Sequence, residues 1–331
     1  MRLRRGTILW FLALMSRLHG LDALRGVAAL LVLSFHAREV VRINPHGYLA
    51  VDLFFVLSGF VLSHAYGAKL REGMGMGRFA VLRMIRLYPL YLAGACFGLW
   101  LDGGTLPTFV GIPALASPHD LYPGNNPLWS LVAEVLASLA FVRLVRWRSP
   151  LLIGAAVALG LLFLKVMLVA GHANLGSNWP TAIAILPRTG FSFIVGILLY
   201  RLFQRRGKER PPSVMSWTLP LLFAGLTFLP DDMPLVDIVV VFAVIPALVY
   251  AGATYPVAFP RVAVWLGLVS YPVYASHAPL LHVASGMPIV PVMAGIIALS
   301  YALARYYDEP LRKWLMAFHV KPVSAPARSI S

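Results

Sequence analysis

The sequence predicts an all-α, polytopic membrane protein of about ten transmembrane helices, with both termini cytoplasmic. Three observations predict it. Of its 331 residues, 59% are hydrophobic and only 12% charged, and the mean hydropathy is +0.77; a soluble domain carries about twice that charge. The apolar residues gather into ten runs near bilayer-spanning length. Finally, the Lys and Arg residues concentrate in alternate connections between those runs.

The runs cover residues 21–38, 48–66, 87–101, 127–147, 150–170, 181–203, 214–229, 235–252, 262–284 and 287–306. A basic extension, 1–20, precedes them. It has a signal-like apolar stretch but no small-residue cleavage site; Met15 offers an alternative start, and residues 8–18 an interfacial segment. The transmembrane domain is then 21–306, and 307–331 a cytoplasmic tail. Of the 28 Lys and Arg residues, 23 fall on one side of this arrangement, and Arg38 and Arg42 alone on the other. That asymmetry sets the orientation. It also excludes nucleic acid as the partner behind the net charge of +15, because the charge is spread over six cytoplasmic segments. The single cysteine, Cys96, has neither a disulfide partner nor a metal-ligand companion, so no metal is expected.

Ionisable residues inside a membrane run are costly and mark candidate sites. In the first run Arg25 and His36 lie eleven residues apart. That is about three helical turns, so both occupy one face, with His36 roughly 16 Å further along the axis. Asp22 sits three residues before Arg25 and can pair with it. The second run carries Asp52 near its outer end and Ser58 and Gly59 at mid-depth, where small residues admit close packing or a ligand. In the following connection Arg83 and Arg86 share a helical face. They suit phosphate recognition, or anionic headgroups as a plain polybasic segment. Pro89 is expected to open the third run. In the fourth, Trp129 reads as an interface anchor, and Glu134 as a buried carboxylate whose expected partner is Arg188 of the sixth. The ninth run places Ser270, Tyr271 and His277 in the bilayer. Glu309 closes the tenth among basic residues, with a local pair to Arg312 or Lys313 as its simplest reading. Asp52, Glu134 and His277 are each candidates to orient His36.

Six segments in order, LDALRGVAALLVLSFHA, VDLFFVLSGFVLS, RFAVLRMIRLYPLY, PLWSLVAE, SYPVYASHAPL and YYDEP, resemble the membrane acyltransferase-3 family over most of Leu21–Leu315. The resemblance implies an enzyme of the bacterial inner membrane that moves an acyl group, commonly acetyl, from acyl-CoA to a hydroxyl of a carbohydrate. It implies that Arg25 and His36 are the essential pair, that Arg83 and Arg86 form the cytoplasmic arginine motif, and that Glu309 is the C-terminal acidic position. One departure is WSLVAEVLA, where members often read WSLSVEEQF, which weakens a role for Glu134. Another is the short tail, where many members carry a hydrolase-like domain; a stand-alone membrane unit is expected.

Two chemistries fit His36: general base toward the acceptor hydroxyl, or a transient acyl-histidine. A competing class is a carrier or flippase for an anionic or glycosylated substrate, since buried ionisable residues on many spans suit transport equally. Neither acceptor identity nor oligomeric state is written in the sequence.

Overall fold

The computed structural model describes residues 18–37, 44–101, 103–115, 117–206, 211, 214–230, 233–255 and 257–319. The expectations for the N-terminal extension up to Arg17, for Arg38 and Arg42, and for the end of the tail lie outside them. Helix accounts for 81% of the structure. Among the described residues no strand forms, and β pairing is limited to one bridge between Asp120 and Asn178.

Every apolar run is helical. In chain order the helices are α1 (His19–His36), α2 (Ala50–Arg71), α3 (Met76–Leu101), α4 (Leu128–Leu144), α5 (Ser149–Ala170), α6 (Ile185–Arg206), α7 (Thr218–Thr227), α8 (Pro234–Thr254), α9 (Pro260–Val283) and α10 (Ile289–His319). Six of them, α2, α3, α5, α6, α8 and α10, are long and apolar enough to cross a bilayer, against the ten expected. The shortfall has physical causes. Helix α4 has 17 residues and α7 has 10. Helix α1 is weakened as an apolar run by His19, Asp22, Arg25 and His36. It tolerates them because α2, α7, α8 and α9 surround it, so it needs no apolar face toward lipid.

Two crossings fix the centre. Helix α1 lies along α9, where Gly26 is so close that a methyl there would sit 2.3 Å from Leu266 Cβ. Helix α2 meets α6 at Gly59, where a methyl would sit 2.1 Å from the Phe193 carbonyl oxygen, with Gly196 opposite. Gly59 is therefore a packing residue, the small-residue contact that lets two membrane helices touch backbone to backbone.

Helix α3 begins eleven residues before the predicted run and passes through Pro89 without breaking, so Arg83 and Arg86 are helical rather than in a loop. Two tyrosine hydroxyls brace the backbone beside the proline. Tyr271 of α9 donates to the Leu87 carbonyl at 2.7 Å, and Tyr307 of α10 donates to the Pro89 carbonyl at 3.0 Å.

Candidate active site

His36 is the last residue of α1, and α9 brings His277 against it. Nε2 of His277 lies 3.2 Å from Nδ1 of His36, with the rings edge to face. The backbone fixes the tautomers. Nδ1 of His277 faces two carbonyl oxygens, Val273 at 3.0 Å and Tyr274 at 2.8 Å, so it carries the hydrogen. In a neutral ring Nε2 of His277 is then an acceptor. Nδ1 of His36 faces that acceptor and the Val32 carbonyl at 3.0 Å, so it too is protonated. The basic lone pair of His36 therefore resides on Nε2. His277 is fully buried, which makes its ring a rigid abutment.

The surroundings lock this end of the site. Tyr274 of α9 hydrogen-bonds Ser130 of α4. Asn125 donates to the carbonyls of Gly94 at 2.9 Å and Ala275 at 2.8 Å, tying α3 and α9 together. On the other flank Asn44 donates to the Leu31 carbonyl and to Ser34. Just beyond, the buried carboxylate of Asp237 accepts from Tyr48 at 2.6 Å and from the Ala173 amide at 2.7 Å, with His46 Nδ1 at 2.7 Å. His46 Nε2 faces the Pro230 carbonyl at 2.9 Å. His46 thus bridges the Asp237 carboxylate and the Pro230 carbonyl through its two ring nitrogens.

At the other end of α1, Arg25 donates to Asp22 at 3.0 Å and to the Gly267 carbonyl of α9 at 3.2 Å. Ser270 donates to the same carbonyl at 2.9 Å. The approach is possible because Gly267 has no side chain; a methyl there would meet Asp22 Oδ1 at 2.8 Å.

The expected pairing of Glu134 with Arg188 does not form. Arg188 instead grips Asp52 through Nε at 3.0 Å and Nη2 at 2.6 Å, with both side chains 1% exposed. The same guanidinium lies over the Trp129 ring, so Trp129 is a buried stacking partner rather than an interface anchor. Glu134 accepts from Arg83 at 3.0 Å and from Ser58 at 2.9 Å. Arg83 is thus a buried partner of a carboxylate. Spacing alone presented it as a displayed phosphate ligand, but the helix buries one face of that pair and leaves Arg86 on the other.

Arg86 reaches Asp308 of α10 at 3.7 Å and lies over the Tyr271 ring at 5.8 Å. Arg312 pairs with the same carboxylate at 2.9 Å. Glu309 turns away from the core toward Arg305 and Lys313, the latter at 3.2 Å. The inward acidic residue of the C-terminal motif is therefore Asp308, which sequence reading passed over. Asn125, His46 and Asp237 were also missed. All three act through partners distant in sequence, and no local pattern reports those.

A family model described as an acyltransferase domain matches residues 18–305, almost the whole of this framework. The chain belongs to the acyltransferase-3 family. It is an acyltransferase, and a membrane protein. Acyltransferase MdmB of Streptomyces mycarofaciens is 30% identical over 64% of each chain, so the chain spans 64% of that relative's length. Protein 2 in picA locus of Rhizobium radiobacter is 57% identical over 37% of this chain and 80% of its own. No solved structure matches. Membership supports the enzyme reading, because the matched unit is an acyltransferase domain.

Proposed function

We propose that this acyltransferase moves an acetyl group from acetyl-CoA at the cytoplasmic face to a hydroxyl of an exported or cell-envelope carbohydrate, in the bacterial inner membrane. His36 is the general base. In this reading both termini are cytoplasmic, as the distribution of Lys and Arg predicts. The observation that carries the mechanism is the His36–His277 contact at 3.2 Å, whose tautomers leave the basic lone pair on His36 Nε2.

In the reaction, Nε2 takes the proton of the acceptor hydroxyl as its oxygen attacks the thioester carbonyl. The C–S bond breaks, coenzyme A leaves as the thiolate, and the imidazolium returns the proton to sulfur. Imidazole suits this work because its unperturbed titration lies near neutrality. His277 is a positioning residue that holds the His36 ring by its Nδ1 edge. Arg25 and Arg86 line the cytoplasmic approach to α9, where the phosphorylated end of the donor enters, and Ser270 and Tyr271 form the α9 wall between them.

The test replaces His36 by Ala and, separately, Arg25 by Ala, with expression and membrane insertion verified. Transfer from radiolabelled acetyl-CoA into membrane carbohydrate is expected to fall by a factor of about 100 or more for the His36 variant. Wild-type rates in both variants overturn the site. A C-terminal alkaline phosphatase fusion is expected to be inactive, and activity there overturns the orientation. Mass spectrometry of envelope glycans from a deletion strain and its parent identifies the acceptor.

A further inference from the structure

We propose that Arg86 and Arg312, drawn together by the buried carboxylate of Asp308, form a two-arginine clamp for one phosphate group, supplied by the nucleotide end of the acyl-CoA donor. This rests on the donor proposed above and adds Arg312 and Asp308 to it.

Four observations carry the clamp. First, two guanidinium groups from different helices converge on one carboxylate that is 3% exposed, while they themselves are 36% and 24% exposed. The acid is buried and the bases are presented. Second, Arg86 makes no hydrogen bond among the described residues. Its 3.7 Å approach to Asp308 is an ion pair too long to use an N–H, and its guanidinium carbon lies over the Tyr271 ring at 5.8 Å. A planar fork of donors, stacked and unspent, suits a phosphate oxygen pair. Third, Oδ1 of Asp308 has no hydrogen-bond partner although it is buried. Both arginines address Oδ2, Arg312 at 2.9 Å and Arg86 at 3.7 Å, so Oδ1 is not used by either guanidinium. Fourth, Arg86 and Arg312 outweigh Asp308 by one positive charge, and the neighbouring Glu309 is itself outweighed by Arg305 and Lys313, so the surroundings stay net positive.

The backbone is shaped for this. Along α10 the buried positions are Ile296, Ser300, Ala304 and Asp308, one in every four. A regular α-helix turns about 100° per residue, so twelve residues would carry Asp308 about 120° off that stripe. A π-helical turn over Leu303–Asp308 takes up the drift. Such turns are rare and concentrate at functional sites. Helical geometry then resumes, and Arg312 falls four residues on, over the Asp308 carboxylate.

The test measures binding of coenzyme A and of pantetheine, which lacks the nucleotide, to the full chain in phosphatidylcholine nanodiscs. Arg312→Gln is expected to lower the ratio of coenzyme A to pantetheine affinity about tenfold. Asp308→Asn is expected to weaken coenzyme A as well, because the two arginines then repel. Tighter binding by Asp308→Asn would mean that Asp308 merely occupies the anion position, and overturns its role. An unchanged affinity ratio in Arg312→Gln, with wild type still binding coenzyme A, overturns the clamp and leaves the donor reading intact. No binding by wild type overturns both. A headgroup site would reveal itself if, in nanodiscs doped with phosphatidylglycerol, Arg312→Gln lost bound phosphatidylglycerol in native mass spectrometry while keeping its coenzyme A affinity; that result also overturns the nucleotide assignment.

Discussion

His277 Nε2 meets His36 Nδ1 at 3.2 Å, although 241 residues separate them in the chain. The contact turns a lone helix-end histidine into one with a fixed tautomer and a fixed ring plane. Replacing His277 by Ala removes that acceptor without touching Nε2 of His36. Acyl transfer is expected to fall about ten- to a hundredfold, with coenzyme A affinity unchanged. Turnover measured beside coenzyme A binding separates this from general damage to the fold, which would lower both.

Arg188 and Asp52 form the most deeply buried ion pair among the described residues, each 1% exposed. Removing one partner strands the other's charge away from water. Arg188→Met is therefore expected to cost about 3–5 kcal/mol, read as a lower unfolding temperature and yield in detergent. Adding Asp52→Asn should recover part of that loss, since no uncompensated charge remains. An additive double variant would show that the two act separately.

Glu134 holds both Arg83 and Ser58. Ser58→Ala removes one neutral donor and is expected to cost about 1 kcal/mol. Glu134→Ala leaves Arg83 without its partner and should cost more. A thermodynamic cycle combining Glu134→Ala with Arg83→Met is expected to show a coupling of about 1–3 kcal/mol. A coupling near zero would mean that the pair contributes nothing to stability.

Gly59 and Gly225 make a matched comparison. A methyl at Gly59 strikes the Phe193 carbonyl, whereas one at Gly225 meets nothing within 4 Å. Gly59→Ala should force α2 and α6 apart and cost about 1–3 kcal/mol. Gly225→Ala should be neutral or stabilising by about 0.5–1 kcal/mol, as glycine in a helix is a conformational penalty. Monodispersity on size-exclusion chromatography and thermal unfolding in detergent check both.

Composition and spacing are enough for whatever is a property of one helix at a time. Apolar runs are long or they are not, so the all-helical class and the approximate place of each helix are legible, though not the early start of α3. So is the Arg25–His36 stripe, because α1 is unbroken and its spacing is a local property. What one helix meets is another matter. Depth alone pairs Arg188 with Glu134, yet Asp52 lies nearer across the interface where glycines let α2 and α6 close up. His277 became the partner of His36 because α1 and α9 lie side by side, a fact held in Gly26 and Gly267 rather than in either histidine. Asp308 was hidden for a different reason. A period of 3.6 residues points it away from the core, and only the π turn of α10 brings it back. Tertiary structure decided the pairings, because a buried charge takes the opposite charge that packing brings within reach, and packing joins surfaces that no single stretch of sequence contains.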